Sequence, residues 1–106
     1  MPKYLIQASY TPDGVKGILE QGGSSRPEAV KSVVEGLGGT VESFYFAFGD
    51  DDAYVVLEMP DNASVAAVAM AVNATGAVSA KTTVLLTPEE LDQATQKSVD
   101  YTPPGS

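Results

Sequence analysis

Residues 40–59 read TVESFYFAFGDDDAYVVLEM, two runs rich in aromatic and β-branched residues around a Gly-Asp-Asp-Asp turn. Such runs suit half-buried pleated strands, so the stretch predicts a β-hairpin of residues 40–48 and 53–59. In the second run Ala53, Val55, Leu57 and Met59 alternate with Tyr54, Val56 and Glu58. Successive side chains on a strand point to opposite faces, so the first set belongs under a covering layer and the second faces away.

Working outward, residues 3–10 form a strand that Thr11-Pro12-Asp13 ends with a helix-start signal, Thr11 capping and Pro12 in the first turn. A short helix over 15–21 follows, broken at Gly22-Gly23-Ser24. Ser25-Arg26-Pro27-Glu28 has the spacing of a capping box and opens a second helical segment, whose Val30, Val33, Val34 and Leu37 make one apolar stripe before Gly38-Gly39. Beyond the hairpin, Asp61 caps a helix striped by Val65, Val68 and Val72 and closed by Gly76. Residues 78–86 give the last strand, and Thr87-Pro88-Glu89-Glu90 is a capping box opening an acidic helix to about Lys97. The order is strand, helix, strand, strand, helix, strand, then an appended helix. That is the ferredoxin-like βαββαβ pattern of the α+β class: a four-stranded antiparallel sheet with helices on one face. Residues 1–99 read as one domain, and 100–106, with two prolines, as a disordered tail.

Composition narrows the chemistry. The 106 residues include no Cys, His or Trp, which removes the usual neutral-pH base, the commonest transition-metal ligand and any thiolate nucleophile or disulfide. Six Lys and Arg stand against 14 Asp and Glu, a net charge of -8. Scattered cations on an acidic protein argue against a nucleic-acid partner. The apolar stretch 63–72 is too short to cross a bilayer, and Met1-Pro2-Lys3 opens no targeting segment, so the expectation is a cytoplasmic protein with no membrane partner.

A sheet with helices on one face leaves the other to water, a ligand or another subunit. Taking Phe44, Phe46 and Phe48 as the covered set of the second strand sends Val41, Ser43, Tyr45 and Ala47 outward. The same alternation sends Leu5, Gln7 and Ser9 outward from the first strand, and Ser79, Lys81, Thr83 and Leu85 from the last. Leu5, Val41, Tyr45, Tyr54, Val56 and Leu85 thus form a candidate homo-oligomer interface, aromatic at its core with a polar minority. Gln7, Tyr45, Tyr54, Glu58 and Lys81 are candidate ligand contacts, with Glu58 and Lys81 expected to pair. Arg26, the only arginine, is the best candidate for an anionic ligand.

The chain resembles the GYD domain family, small proteins grouped with the dimeric α/β barrels. The resemblance covers residues 3–87 and rests on Lys3-Tyr4-Leu5-Ile6, on Gly36-Leu37-Gly38-Gly39 leading to Glu42-Ser43-Phe44-Tyr45, on Gly49, and on Glu58-Met59-Pro60-Asp61. The family's Gly-Tyr-Asp turn is matched by Gly49 and Asp52, but Asp51 stands where Tyr is expected. The resemblance implies the fold and an oligomer and assigns no reaction. Monooxygenases, isomerases and haem-degrading enzymes of the wider barrel group are fold-level analogies.

Asp50, Asp51 and Asp52 are oxygen donors, but they lack the spacing of a calcium loop and read as a solvated turn, so no metal is expected. With no nucleophile or base constellation, the sequence favours a non-catalytic ligand-binding or interaction module with no cofactor and a small anionic or aromatic ligand. The alternatives are a cofactor-free oxygenase or isomerase with a pocket at the sheet-face interface, and an adaptor docking through its acidic helix and Pro-rich tail.

Overall fold

A computed structural model describes residues 1–105. Its elements are β1 (Lys3–Tyr10), α1 (Pro12–Gln21), α2 (Ser25–Gly36), β2 (Thr40–Phe46), β3 (Ala53–Glu58), α3 (Asn62–Ala74), β4 (Val78–Leu85) and α4 (Pro88–Thr95). The four strands form one antiparallel sheet in the order β2-β3-β1-β4. Each crossover therefore joins two parallel strands with an antiparallel one between them, which is the ferredoxin-like topology expected from the sequence. Among the described residues no helix is long and apolar enough to cross a membrane.

Local signals set most boundaries. Thr11 accepts from the Gly14 amide, Asp61 from the Ser64 amide, and Thr87 and Glu90 complete a reciprocal capping box. The box expected at Ser25 and Glu28 does not form. The cap of α2 is Ser24, one residue earlier, and Ser25 Oγ instead donates to the Gly22 carbonyl at 2.9 Å. At the far end of α2, Gly38 has φ 84, and the Gly39 amide returns to the Val34 carbonyl at 2.9 Å. Gly39 sits so tightly that a Cβ there would run into the Glu58 carbonyl and the Met59 sulfur.

The core lies between the sheet and α2 and α3. Tyr4, Val34, Val55, Leu57, Met59, Val65 and Val68 are buried in it, with Ile6, Val30, Val41, Phe44 and Val72 packed alongside. Tyr4 is completely buried, and its hydroxyl donates to Asn62 Oδ1 at 2.6 Å, fixing the start of α3 to β1.

Two expectations about β2 are corrected. A β-bulge between Val41 and Ser43 inserts Glu42, so Val41 faces Leu57 on the helix side while Ser43, opposite Val56, keeps the open side. One extra residue reverses the alternation upstream of it, which removes Val41 from the candidate interface. Phe46 and Phe48 are not core either: β2 ends at Phe46, which stacks edge-on against Phe44 beside Gly23 of the α1–α2 turn and stays 45% exposed, and Phe48 is wholly exposed.

α4 stands away from the rest. All eight of its residues are exposed, as are Val99 and Tyr101. The radius of gyration is 16.9 Å and the longest dimension 57 Å, whereas a compact chain of this length has a radius near 13 Å. Of the expected tail, 100–105 carry neither helix nor strand, and residue 106 lies outside the described residues.

Candidate functional site

Cross-strand register sets the open face. Lys3 lies between Glu58 and Leu85, Leu5 between Val56 and Thr83, Gln7 between Tyr54 and Lys81, and Tyr45 lies opposite Tyr54. Tyr45, Tyr54, Val56 and Leu5 thus run as one patch across β2, β3 and β1, with Leu85 beside it on β4. Leu5, Tyr54, Val56 and Leu85 are half-buried by their neighbours and Tyr45 is 71% exposed.

The charges close the two ends of this patch rather than its middle. Glu58 and Lys81 share the face but do not meet, because four positions of β1 separate their partners Lys3 and Gln7. Glu58 pairs instead with Lys3 at 3.1 Å, and Lys3 also reaches Glu42 on the bulge at 2.8 Å. Hydrogen bonds from the Lys3 ammonium to Glu42 first and Glu58 second raise its pKa.

Lys81 pairs with Asp51, 3.3 Å away, at the opposite end. Asp51 is not part of a solvated turn: it is 3% exposed and also accepts from Gln7 Nε2 at 3.2 Å and Ser9 Oγ at 3.1 Å. The cause is the backbone of the hairpin loop. The Asp52 amide donates to the Ala8 carbonyl at 2.8 Å, and the Asp52 carboxylate accepts from the Tyr10 amide at 2.9 Å. The loop thereby folds back along β1 beyond the end of β3 and turns Asp51 onto the open face. Asp50 remains exposed, and among the described residues the acids form no cluster able to hold a metal ion.

Arg26 is remote from all of this. It lies at the start of α2, on the helix side, where an apolar pocket of about 130 Å³ opens between α2, α3 and the sheet beside the packed core. A neighbouring cavity of about 260 Å³, bordered by α1, shares Arg26 with the first. Arg26 Nε is buried without a hydrogen-bond partner, the sole such side-chain atom among the described residues.

The structure thus brings Gln7 and Lys81 together around an acid the sequence reading had placed in solvent, sets Tyr45 against Tyr54, and separates Glu58 and Arg26 from both groups. Nothing within the turn signals the burial of Asp51, whose partners Gln7 and Ser9 are ordinary polar residues on the outward face of β1. A family model described as the GYD domain matches residues 4–95. No curated protein and no solved structure matches the chain.

Proposed function

The chain belongs to the GYD domain family, and on that premise we propose that it is a non-catalytic binding module that associates with a second copy through the open face of its sheet. The observation that carries this reading is the uncovered patch of Tyr45, Tyr54, Val56 and Leu5, continuous across three strands. Aromatic and aliphatic groups at the centre of a face with a polar rim match the anatomy of an association surface. The rim charges support it further. Glu58 and Asp51 already have partners within the chain, so covering the face strands no unpaired carboxylate.

Light scattering on the size-exclusion peak tests this at micromolar concentration. The expected species is an oligomer, and Tyr54→Asp, which puts a carboxylate in the middle of the patch, is expected to give a folded monomer. A monomeric wild type, or an oligomer indifferent to Tyr54→Asp, overturns the reading.

A second reading is favoured by one observation, the isolation of α4. An exposed helix followed by Pro103 and Pro104 suits an adaptor whose arm, through Leu91, Val99 and Tyr101, docks on another protein. Ending the chain at residue 87 separates the two. The oligomer survives if the sheet face makes it, and is lost if the arm does.

A further inference from the structure

We propose that the space between α2, α3 and the sheet binds a small monocarboxylic acid with an apolar, benzene-sized body, its carboxylate held by Arg26. Three independent features meet there. The first is the floor. Ala53, Ala8 and Ala80 lie side by side on β3, β1 and β4, one row of methyl groups across three strands. The next row carries Val55, Ile6 and Thr82, so the floor drops where the alanines are.

The second feature is the roof. α2 packs against β2 and α3 against β4, so the two helices cover opposite halves of the sheet. The seam between them is lined by short side chains, among them Ala29, Val33 and Ala69. The resulting volume of about 130 Å³ is close to that of an apolar protein cavity known to admit benzene, and with Ala29 and Val33 exposed on its rim it is open to solvent on that side.

The third feature is Arg26 at the boundary with the second cavity. Its Nε–H is sheltered and unbonded, and a charged donor left in that state is costly. A carboxylate answers the guanidinium geometry with two parallel bonds, and to include Nε, which is covered in the unliganded structure, the Arg26 side chain turns toward the pocket on binding. Charge selects a monoanion over a phosphate: the chain carries -8, Arg26 is its only arginine, and Asp13 borders the neighbouring cavity. The ligand's apolar body then enters the seam while its acid group stays at the mouth. This site is on the opposite side of the sheet from the association surface, so it stands or falls separately from the proposed oligomer.

Benzoate is the probe and benzyl alcohol its neutral counterpart, each titrated into the full chain and followed by two-dimensional NMR. Benzoate is expected to bind at least about tenfold more tightly than benzyl alcohol and to shift the Arg26 Nε–H resonance, since one charge-assisted bond is of that order. Arg26→Met keeps the aliphatic stem and is expected to abolish that tenfold preference, leaving benzyl alcohol binding unchanged. Ala80→Leu, which fills the floor from an edge strand, is expected to weaken both probes. The Nε–H resonance is read in the wild type, so the test survives even if a variant does not fold. Equal affinity for the two probes, no binding of either at millimolar concentration, or benzoate binding that ignores Arg26→Met overturns the proposal.

Discussion

Replacing Asp51 by Ala removes the acceptor on which Gln7, Ser9 and Lys81 converge. The three partners do not contribute equally. Lys81 has a side chain that is 65% exposed, so its ion pair is screened and worth no more than about 1 kcal/mol. The bonds from Gln7 at 3.2 Å and Ser9 at 3.1 Å go to a buried charged acceptor and are worth about 1.5 kcal/mol each, the low end for such bonds because they are long. Asp51→Ala is therefore expected to cost about 3–4 kcal/mol. In a domain of this size that is a fall of roughly 12–30 °C in Tm. Urea denaturation at neutral pH gives the free energy, and a double-mutant cycle with Lys81→Met isolates the ion pair. Lys81→Met alone should lose less than about 1 kcal/mol, because Gln7 and Ser9 still satisfy the acid it leaves behind. Two results refute the reasoning. An Asp51→Ala variant within about 0.5 kcal/mol of wild type means the carboxylate is effectively solvated. A Lys81→Met variant as damaged as Asp51→Ala means the ion pair, and not the neutral donors, holds the loop.

Gly39→Ala is expected to destabilise severely or prevent folding, because its methyl meets the Glu58 carbonyl, whereas Gly17→Ala, with open space around it inside α1, should gain about 1 kcal/mol; denaturation midpoints compare them. Two exposed groups give opposite pH signatures. Lys3, its pKa raised by Glu42 and Glu58, stabilises fully below the ordinary lysine range, and that contribution disappears only as pH rises through its folded value, so Lys3→Met should diverge from wild type at neutral pH and converge with it in strong alkali. Asp61, its pKa lowered first by the Ser64 backbone amide and then by the Ser64 side chain, stabilises above the ordinary carboxylate range and loses this as pH falls through its folded value, so Asp61→Asn should differ from wild type at neutral pH and match it in acid. Thermal melts across pH check both.

The fold was legible because its signals are local. The Thr11, Asp61 and Thr87 caps and the alternation of 53–59 each depend on neighbours within a few residues, and together they leave one topology. The open face of β1, β3 and β4 followed from alternation alone. β2 did not, because a bulge has no signature in TVESFYF: Val41 changes face on account of one unpaired residue that only the register with β3 reveals. Asp51 was misread for a related reason. Three consecutive acids look like a solvated turn, and nothing within the turn says that the Asp52 amide will bond Ala8 and roll the loop onto the sheet. Alternation puts Glu58 and Lys81 on one face but does not pair them, since it assigns the side of a strand and says nothing about position along its neighbour.

The cavity was invisible for a further reason, and that reason bears on its meaning. Ala8, Ala53 and Ala80 are far apart in the chain and each is an ordinary small core residue, so only the register turns them into a row. Leaving about 130 Å³ unfilled forfeits at most about 3 kcal/mol at the measured cost of enclosed core voids, and less here because the rim is open to solvent. A domain this small has little stability to spare. A single Leu on the edge strand, as in Ala80→Leu, recovers part of that by filling the floor, so the unliganded variant should melt above wild type. The same substitution is the one expected to exclude benzoate. A gain in stability joined to a loss of binding marks the void as space kept for a ligand, while a loss of stability means that the seam has no room for the added side chain and that the row of alanines is already packed as tightly as the helices allow.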